Sequence, residues 1–242
     1  MKSTILITGV SSGIGQYLSK KLINQGHNII GIDNIKKNIL IHKNYQFYKC
    51  DLANKIKVNN VCKKIILKNE INIIINCASI LIDQPMLSIQ NFKIKLHSVE
   101  DFEKVMRNNL FSVFYITRNL IKHLIGSKNK NKLIINFSSI SSKGNIGQSA
   151  YSASKAGIEA LTTTWSKELS NFGVRVVSIS PGIIDTPMPR RSFSEKEMDH
   201  YKSINPMKRL GKPQDIYLAV KFIIQNSYVN NTNLEVSGGF NF

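Results

Sequence analysis

A tyrosine and a lysine lie four residues apart in the stretch Tyr151 to Lys155, which reads Tyr-Ser-Ala-Ser-Lys and has the pattern of the start of a helix. At this spacing both side chains lie on one face of a helix. A phenol, whose ordinary pKa is about 10, is a poor base at neutral pH, and a neighbouring ammonium group favours the phenolate. The pair is therefore a candidate for general acid and base catalysis.

The same spacing occurs three more times in this lysine-rich chain, at Tyr17 and Lys21, Tyr45 and Lys49, and Tyr217 and Lys221. Spacing alone therefore does not identify the reactive pair. The predicted elements around each pair must show which pair is reactive, because a reactive tyrosine needs other functional groups and a ligand site beside it.

The length allows one large α/β domain or two small ones, and the unbroken alternation of strand and helix patterns favours one. The chain has 242 residues, of which 42% are hydrophobic, so it can build an ample core. No apolar run approaches the roughly 18 residues of a membrane span, and the short run after Met1 leads straight into a glycine loop, unlike a signal peptide. Cys50, Cys62 and Cys77 lack the paired spacing of a zinc site or a disulfide framework, and the histidines are scattered. We expect a cytoplasmic protein that holds no metal.

The net charge of +18 comes from lysines that are spread over the whole chain. An even distribution is typical of a solvated basic surface, so we expect neither nucleic acid nor a membrane as a partner. Only the segment from Lys122 to Lys132 is dense enough to suggest docking of an acidic partner, and a charged loop explains it as well.

The first glycine loop separates a predicted strand from a predicted helix. The run from Ser3 to Thr8 is rich in β-branched residues, the loop that follows reads Thr-Gly-Val-Ser-Ser-Gly-Ile-Gly, and apolar residues at helical spacing begin at Ile14. Glycines let the backbone approach a pyrophosphate, whose charge the N–H groups at a helix N-terminus bind. We predict a dinucleotide site that uses Gly9, Ser11, Ser12, Gly13, Ile14 and Gly15.

The second predicted strand runs from Asn28 to Ile32 and ends at Asp33. An acidic residue about 20 positions beyond such a loop binds the ribose hydroxyls of the cofactor, and its charge repels a 2′-phosphate. We therefore predict NAD as the cofactor, with NADP less favoured. Lys36 and Lys37 lie near enough in the sequence to soften this preference.

Further apolar runs predict strands over residues 45–50, 71–76, 133–137, 174–180 and 233–236. Helical patterns cover residues 54–68, 98–125 with an interruption at Asn108 and Asn109, 151–171 and 213–225. Strands this continuously apolar are buried on both faces of a parallel sheet. We predict an α/β fold, a Rossmann-type doubly wound parallel sheet of about seven strands with helices on both faces, in one domain over residues 1–242. A long loop over about 80–97 and a proline-bounded lid over about 187–206 stand outside this pattern.

Taken together and in order, these motifs resemble the classical short-chain dehydrogenases/reductases from Ser3 to Gly239. The resemblance is carried by Thr8-Gly9-x-x-x-Gly13-x-Gly15, Asp51-Leu52, Asn76-x-Ala78, Asn109, the Ser138 region, Tyr151-Ser-Ala-Ser-Lys155, Pro181-Gly182 with Thr186, and Ser237-Gly238-Gly239. It implies further cofactor-binding residues at Asp51, Leu52, Asn76, Ala78, Tyr151, Lys155, Pro181, Gly182, Ile184 and Thr186.

The resemblance also implies a catalytic tetrad. Tyr151 is the acid and base, and Lys155 lowers its pKa and binds the nicotinamide ribose. Ser138 polarises the carbonyl or hydroxyl of the substrate, and Asn109 holds a water that links Lys155 to a proton relay. In the family the serine usually lies thirteen residues before the tyrosine, which selects Ser138, whereas an alignment from the preceding strand selects Ser139. We predict Ser138.

The same count from the other three tyrosines reaches Thr4, Ile32 and Ile204. None of these residues follows both a glycine loop and a buried strand. The family pattern thus selects Tyr151 and Lys155 from the four equivalent pairs.

The implied activity is hydride transfer between a nicotinamide cofactor and a secondary alcohol or ketone of a small polar or acyl substrate. A narrower alternative is a 3-oxoacyl carrier-protein reductase, with an acidic carrier protein as partner. Arg190 and Arg191 in the lid are either solvated or meet a carboxylate or phosphate. The resemblance also implies that the chain assembles as a homotetramer or homodimer. The alternative from another class is a non-catalytic protein on the same scaffold that senses NAD or binds nucleic acid, and the intact tetrad argues against it.

Overall fold

In a computed structural model, residues 2–35, 40–90 and 92–242 are described. The strands are β1 (Thr4–Thr8), β2 (Asn28–Asp33), β3 (Tyr45–Lys49), β4 (Ile73–Asn76), β5 (Leu87–Gln90), β6 (Lys93–Leu96), β7 (Lys132–Phe137), β8 (Val174–Pro181) and β9 (Asn233–Val236). Seven of them form one parallel sheet in the order β3-β2-β1-β4-β7-β8-β9. The order reverses between β1 and β4, and ligands bind at such a switch point, beyond the carboxyl ends of the strands. The predicted parallel sheet of about seven strands is confirmed.

The helices are α1 (Gly13–Asn24), α2 (Lys55–Ile66), α3 (Val99–Met106), α4 (Ser112–Gly126), α5 (Ser149–Leu169), α6 (Pro189–Ser192), α7 (Glu195–Ile204) and α8 (Pro213–Gln225). A π turn over Arg107–Phe111 separates α3 from α4, so the interruption predicted at Asn108 and Asn109 is confirmed. Across residues 2–35, 40–90 and 92–242, no helix is both long and apolar enough to cross a membrane.

The core consists of two apolar layers, one on each face of the sheet. In β1, Ile5 and Ile7 face the layer that contains residues of α1 and α8, whereas Leu6 faces the layer built by α2, α4 and α5. Ile73 and Ile74 of β4 alternate in the same way, and all five side chains are fully buried. Successive residues of a strand point to opposite faces. The continuous apolar runs in the sequence therefore mark strands that are covered on both sides.

The long loop predicted over about 80–97 is wrong in part, because half of it forms an antiparallel hairpin. Leu87 pairs with Leu96 and Ile89 with Ile94 across β5 and β6. These short strands alternate apolar and polar residues, but their apolar side chains are exposed as well, so the hairpin adds nothing to the core. The predicted lid over about 187–206 contains the two helices α6 and α7, joined at Ser194, which caps α7 in a reciprocal pair with Glu197.

Candidate active site

The glycine loop after β1 packs closely against the end of β4. Gly9 has a φ of +77°, and a Cβ atom there would lie 2.8 Å from the Cα atom of Ala78. A Cβ atom on Gly15 would overlap the carbonyl oxygen of Gly9. The hydroxyl of Thr8 accepts hydrogen bonds from the backbone N–H groups of Cys77 and Ala78, both at 3.0 Å. The loop from Gly9 to Gly15 therefore forms a cradle of bare backbone at the N-terminus of α1, where the helix dipole favours a phosphate.

Asp33 lies at the end of β2 beside this cradle. Its carboxylate accepts hydrogen bonds from the N–H groups of Ser11 at 3.0 Å and Ile35 at 3.2 Å, which fix its position. Lys36 and Lys37, which were expected to soften its effect on cofactor choice, lie outside the described residues.

A cavity of about 360 Å³ extends over the carboxyl ends of the strands and under the lid. Most of the predicted site residues line it: Gly9, Ser12, Gly13, Ile14, Gly15, Asp33, Leu52, Ala78, Ser138, Tyr151, Lys155, Pro181, Gly182, Ile184 and Thr186. Four predicted residues do not line it, namely Ser11, Asp51, Asn76 and Asn109. The tertiary structure thus brings the glycine loop, the acidic residue and the tyrosine-lysine pair to one site.

Two of the four residues that do not line the cavity stabilise its frame. The buried Asn76 donates from its amide nitrogen to Asn136 at 2.9 Å and to Thr117 at 3.3 Å, and so links β4 to β7 and α4. Asp51 accepts from the N–H group of Ala53 at 3.1 Å. Both residues lie at or just after strand ends as predicted, but the Asn76 side chain points into the protein, which a sequence motif does not specify.

Asn109 lies in the π turn and is completely buried. Its side-chain oxygen accepts from the N–H group of Ile80 at 2.8 Å, and its amide nitrogen donates to the carbonyl oxygen of Ile80 at 2.9 Å. The side chain thus anchors the start of the segment 80–97 at the cavity. A role for Asn109 in a proton relay stays a prediction, and its position in a π turn is typical of functional sites.

Tyr151 and Lys155 lie in the first turns of α5. The Lys155 Nζ atom lies 5.4 Å from the centroid of the Tyr151 ring and donates to the Phe137 carbonyl oxygen at 2.8 Å. Burial raises the pKa of Tyr151 to about 12, opposed by a hydrogen bond from Ser139. Burial likewise lowers the pKa of Lys155 to about 8. The pKa direction is opposite to the lowering expected from Lys155, because removal of the phenol from water dominates, and the effect of Lys155 on the tyrosine stays a prediction.

The serine beside the tyrosine is Ser139. Its hydroxyl donates to the Tyr151 phenol oxygen, and its oxygen accepts from the N–H group of Ser141 at 3.2 Å. The Ser138 hydroxyl instead donates to Glu159 at 2.7 Å, away from the phenol. This geometry favours Ser139 over the predicted Ser138 as the serine that acts with Tyr151, and the choice between the two stays a prediction. Successive residues in extended backbone point in opposite directions, so only one of two adjacent serines can face the tyrosine.

A pair beside Tyr151, formed by the buried Gln148 and the more exposed Asp83, was missed by the sequence interpretation. The amide nitrogen of Gln148 donates to Asp83 at 2.8 Å, and Gln148 lines the cavity. Burial raises the pKa of the Asp83 carboxyl, and its negative charge adds to the raised pKa of Tyr151. In the sequence, the position of Gln148 three residues before Tyr151 was the available indication that its side chain lies near the phenol. The cavity wall also contains Arg191, Phe193 and Phe242.

Comparison with known proteins places this site in a family. The family model of the short chain dehydrogenases matches residues 3–197. A 3-oxoacyl-[acyl-carrier-protein] reductase of Rickettsia typhi is 34% identical over 98% of this chain and 95% of its own length. A human (3R)-3-hydroxyacyl-CoA dehydrogenase is 29% identical over 97% of this chain and 94% of its own length.

A solved structure shows the same architecture. The structure of a 4-hydroxyisoleucine dehydrogenase mutant complexed with NADH and succinate superimposes with a TM-score of 0.88 at 30% identity, over 98% of this chain and 97% of that one. The non-catalytic alternative is not retained, since the relatives carry the names of dehydrogenases and reductases. The fold, the nucleotide cradle and these matches together show that the chain belongs to the short-chain dehydrogenase family and is an oxidoreductase.

Proposed function

We propose that the protein reduces the 3-oxo group of an acyl thioester, and catalyses the reverse oxidation, with NAD(H) as the hydride carrier. The observation that carries the proposal is the meeting of the Tyr151 phenol, the Ser139 hydroxyl and the Lys155 ammonium group at one wall of the cavity. The names of the relatives from Rickettsia typhi and human support an acyl thioester as the substrate class.

The cradle fits a nicotinamide dinucleotide. Gly9 and Gly15 leave the space that a Cβ atom would fill, and Ser12, Gly13 and Ile14 line the cavity at the N-terminus of α1. These residues would hold the pyrophosphate, and Asp33 would bind the adenosine ribose. The bound cofactor supplies the hydride that is transferred to or from the carbon of the substrate.

The side chains of this chain supply the proton. In the reduction, Tyr151 donates its phenol proton to the carbonyl oxygen as the carbon accepts the hydride. Ser139 donates a hydrogen bond to the same oxygen and so stabilises the charge that develops on it. Lys155 stabilises the phenolate left on Tyr151. A phenol held protonated by burial suits this direction, because the group must act as an acid.

A substrate comparison tests the proposal. Oxidation of NADH is followed by absorbance with a 3-oxoacyl thioester, the free 3-oxo acid and an aldohexose lactone at equal concentrations. We expect the thioester to give the highest kcat/KM. A clear preference for the sugar derivative would show that the substrate assignment is wrong while leaving the oxidoreductase chemistry in place.

The cofactor preference depends on the charge of Asp33. Because the carboxylate repels a 2′-phosphate, we expect the wild type to use NADH better than NADPH. Asp33→Asn should shift the ratio of the two kcat/KM values at least about tenfold towards NADPH, since one repulsive contact of this kind is worth about 1.4 kcal/mol or more. Steady-state kinetics with both cofactors measures the ratio.

Asp51→Asn is the matched control, because Asp51 also follows a strand and caps a backbone N–H group but does not line the cavity. Its ratio should equal that of the wild type. A wild type that prefers NADPH, or an equal shift in both variants, would contradict the role of Asp33.

The pH dependence follows from the two buried groups. The ammonium form of Lys155, with its pKa lowered to about 8, is present at neutral pH and is lost as the pH rises through that value. Tyr151, with its pKa raised to about 12, stays protonated over the same range. We therefore expect kcat for carbonyl reduction to be level near neutral pH and to fall above about pH 8, as the charge that stabilises the phenolate disappears.

The profile is measured at saturating cofactor and substrate from about pH 6 to 10. Lys155→Met should be slower throughout and should lack the fall. The same fall in that variant would assign the ionisation to another group.

A further inference from the structure

Two adjacent arginines of the lid have different environments. Arg190 binds the carboxylate of Asp185 with two parallel hydrogen bonds, from Nε at 2.6 Å and from Nη2 at 3.0 Å. Arg191 donates from Nε to the carbonyl oxygen of Pro187 at 3.0 Å. Within the described residues, no carboxylate pairs with Arg191. One arginine is therefore neutralised by Asp185 just before the lid, and the other keeps an uncompensated charge.

The free charge lies at the cavity. Arg191 lines it, whereas Arg190 does not. Successive residues of a helical turn point about 100° apart, which accounts for the separation. Lys155 is the other cationic side chain of the described wall, and it donates to the Phe137 carbonyl. Arg191 thus brings an uncompensated positive charge to the lid side of the cavity.

The neighbouring wall is aromatic. Phe193 packs on Tyr201 at 5.0 Å between ring centroids, and Tyr201 contacts Phe242 at 6.3 Å. Phe242 is also held by Phe240 at 5.2 Å. Both Phe193 and Phe242 line the cavity. An apolar wall lowers the local dielectric and strengthens an ion pair with a guanidinium group, whose planar fork matches a carboxylate or phosphate.

We propose that Arg191 binds an anionic oxygen group of the substrate, a phosphate or a carboxylate, while Phe193 and Phe242 contact the apolar part of the same molecule. The inference rests on the proposed function, because it concerns the substrate whose carbonyl group reaches Tyr151. The phosphate would come from the phosphopantetheine arm that acyl-CoA and acyl carrier proteins share. The carboxylate would come from a free 3-oxo acid.

Three substrates with the same 3-oxobutyryl group distinguish these sources. The N-acetylcysteamine thioester is neutral, the phosphopantetheine thioester carries a phosphate, and the free acid carries a carboxylate. For Arg191→Gln we expect KM to rise about 10- to 100-fold for the anionic substrate that Arg191 binds, with kcat nearly unchanged and the neutral thioester unaffected. Arg191→Lys should recover part of the loss, because it keeps the charge without the fork.

Arg190→Gln is the matched control. Its ion pair with Asp185 is solvent-exposed, so its loss should leave the fold intact and all three KM values unchanged. An equal rise for the neutral thioester, a rise confined to the KM for NADH, no effect in Arg191→Gln, or the same effect in Arg190→Gln would each overturn the inference.

Binding without turnover separates this inference from the proposed function. Calorimetry with butyryl phosphopantetheine and butyrate, which have no 3-oxo group, compares the wild type with Arg191→Gln. Weaker binding of one of these ligands to the variant supports the anion site, whether or not the wild type reduces any of the three substrates. Absence of reduction by the wild type would refute only the proposed function. Equal binding of both ligands to both proteins overturns the anion site, whatever the activity.

Discussion

Tyr151→Phe is expected to lower kcat by about 10²- to 10⁴-fold, the usual contribution of a positioned general acid. The substitution removes only the hydroxyl group, so the ring still fills its buried position beside Lys155. The affinity for NADH should stay within about twofold, since the cradle around Gly9 and the carboxylate of Asp33 are untouched. Stopped-flow turnover and fluorescence titration with NADH measure the two quantities.

Tyr17→Phe is a demanding control. The Nζ atom of Lys21 lies 5.4 Å from the centroid of the Tyr17 ring, the same distance as between Lys155 and Tyr151, and the sequence spacing is also the same. The Tyr17 hydroxyl donates to Gln214 at 2.6 Å, so its loss should cost about 1 kcal/mol of stability and leave kcat unchanged. If Tyr151→Phe kept most of its activity, or Tyr17→Phe lost as much, the assignment of the acid would be wrong.

Ser139→Ala is expected to lower kcat by about 10²- to 10³-fold, as removal of one donor to a developing oxyanion does. The hydroxyl of Ser139 is the one that reaches the Tyr151 phenol, and the substrate oxygen must approach the same point. The KM for substrate should change much less than kcat, because the hydrogen bond strengthens as charge develops. Steady-state kinetics in the reducing direction separates the two parameters.

Ser138→Ala provides the contrast one residue away. It removes the hydrogen bond to Glu159, a carboxylate that also accepts from Ser180 at 3.1 Å. We expect a lower melting temperature and a kcat within a few-fold of the wild type. The reverse pattern, with the larger loss of kcat in Ser138→Ala, would assign the catalytic role to Ser138, the serine that the spacing from the tyrosine selects.

The parts of the site that depend on local backbone could be predicted from the sequence. The glycine loop, Asp33 and the start of α5 follow from residue types whose conformations or periodicity are short-range. Gly9, for example, has the positive φ that the motif requires. The buried strands could be predicted for the same reason, because a strand covered on both faces is apolar throughout. The hairpin of β5 and β6 was missed because its strands are short and exposed.

The sequence by itself thus determined the fold, the cradle and the pair Tyr151 and Lys155 once the family pattern was added. Three features were decided by the tertiary structure. They are the serine that faces the phenol, the hydrogen bonds by which Asn76 and Asn109 hold the surrounding backbone and side chains in place, and the position of Arg191 rather than Arg190 in the cavity wall. Each of these choices depends on the direction of a side chain relative to residues far away in the chain. The pKa values of Tyr151 and Lys155 are decided in the same way, since burial, their largest cause, is a property of the packed structure.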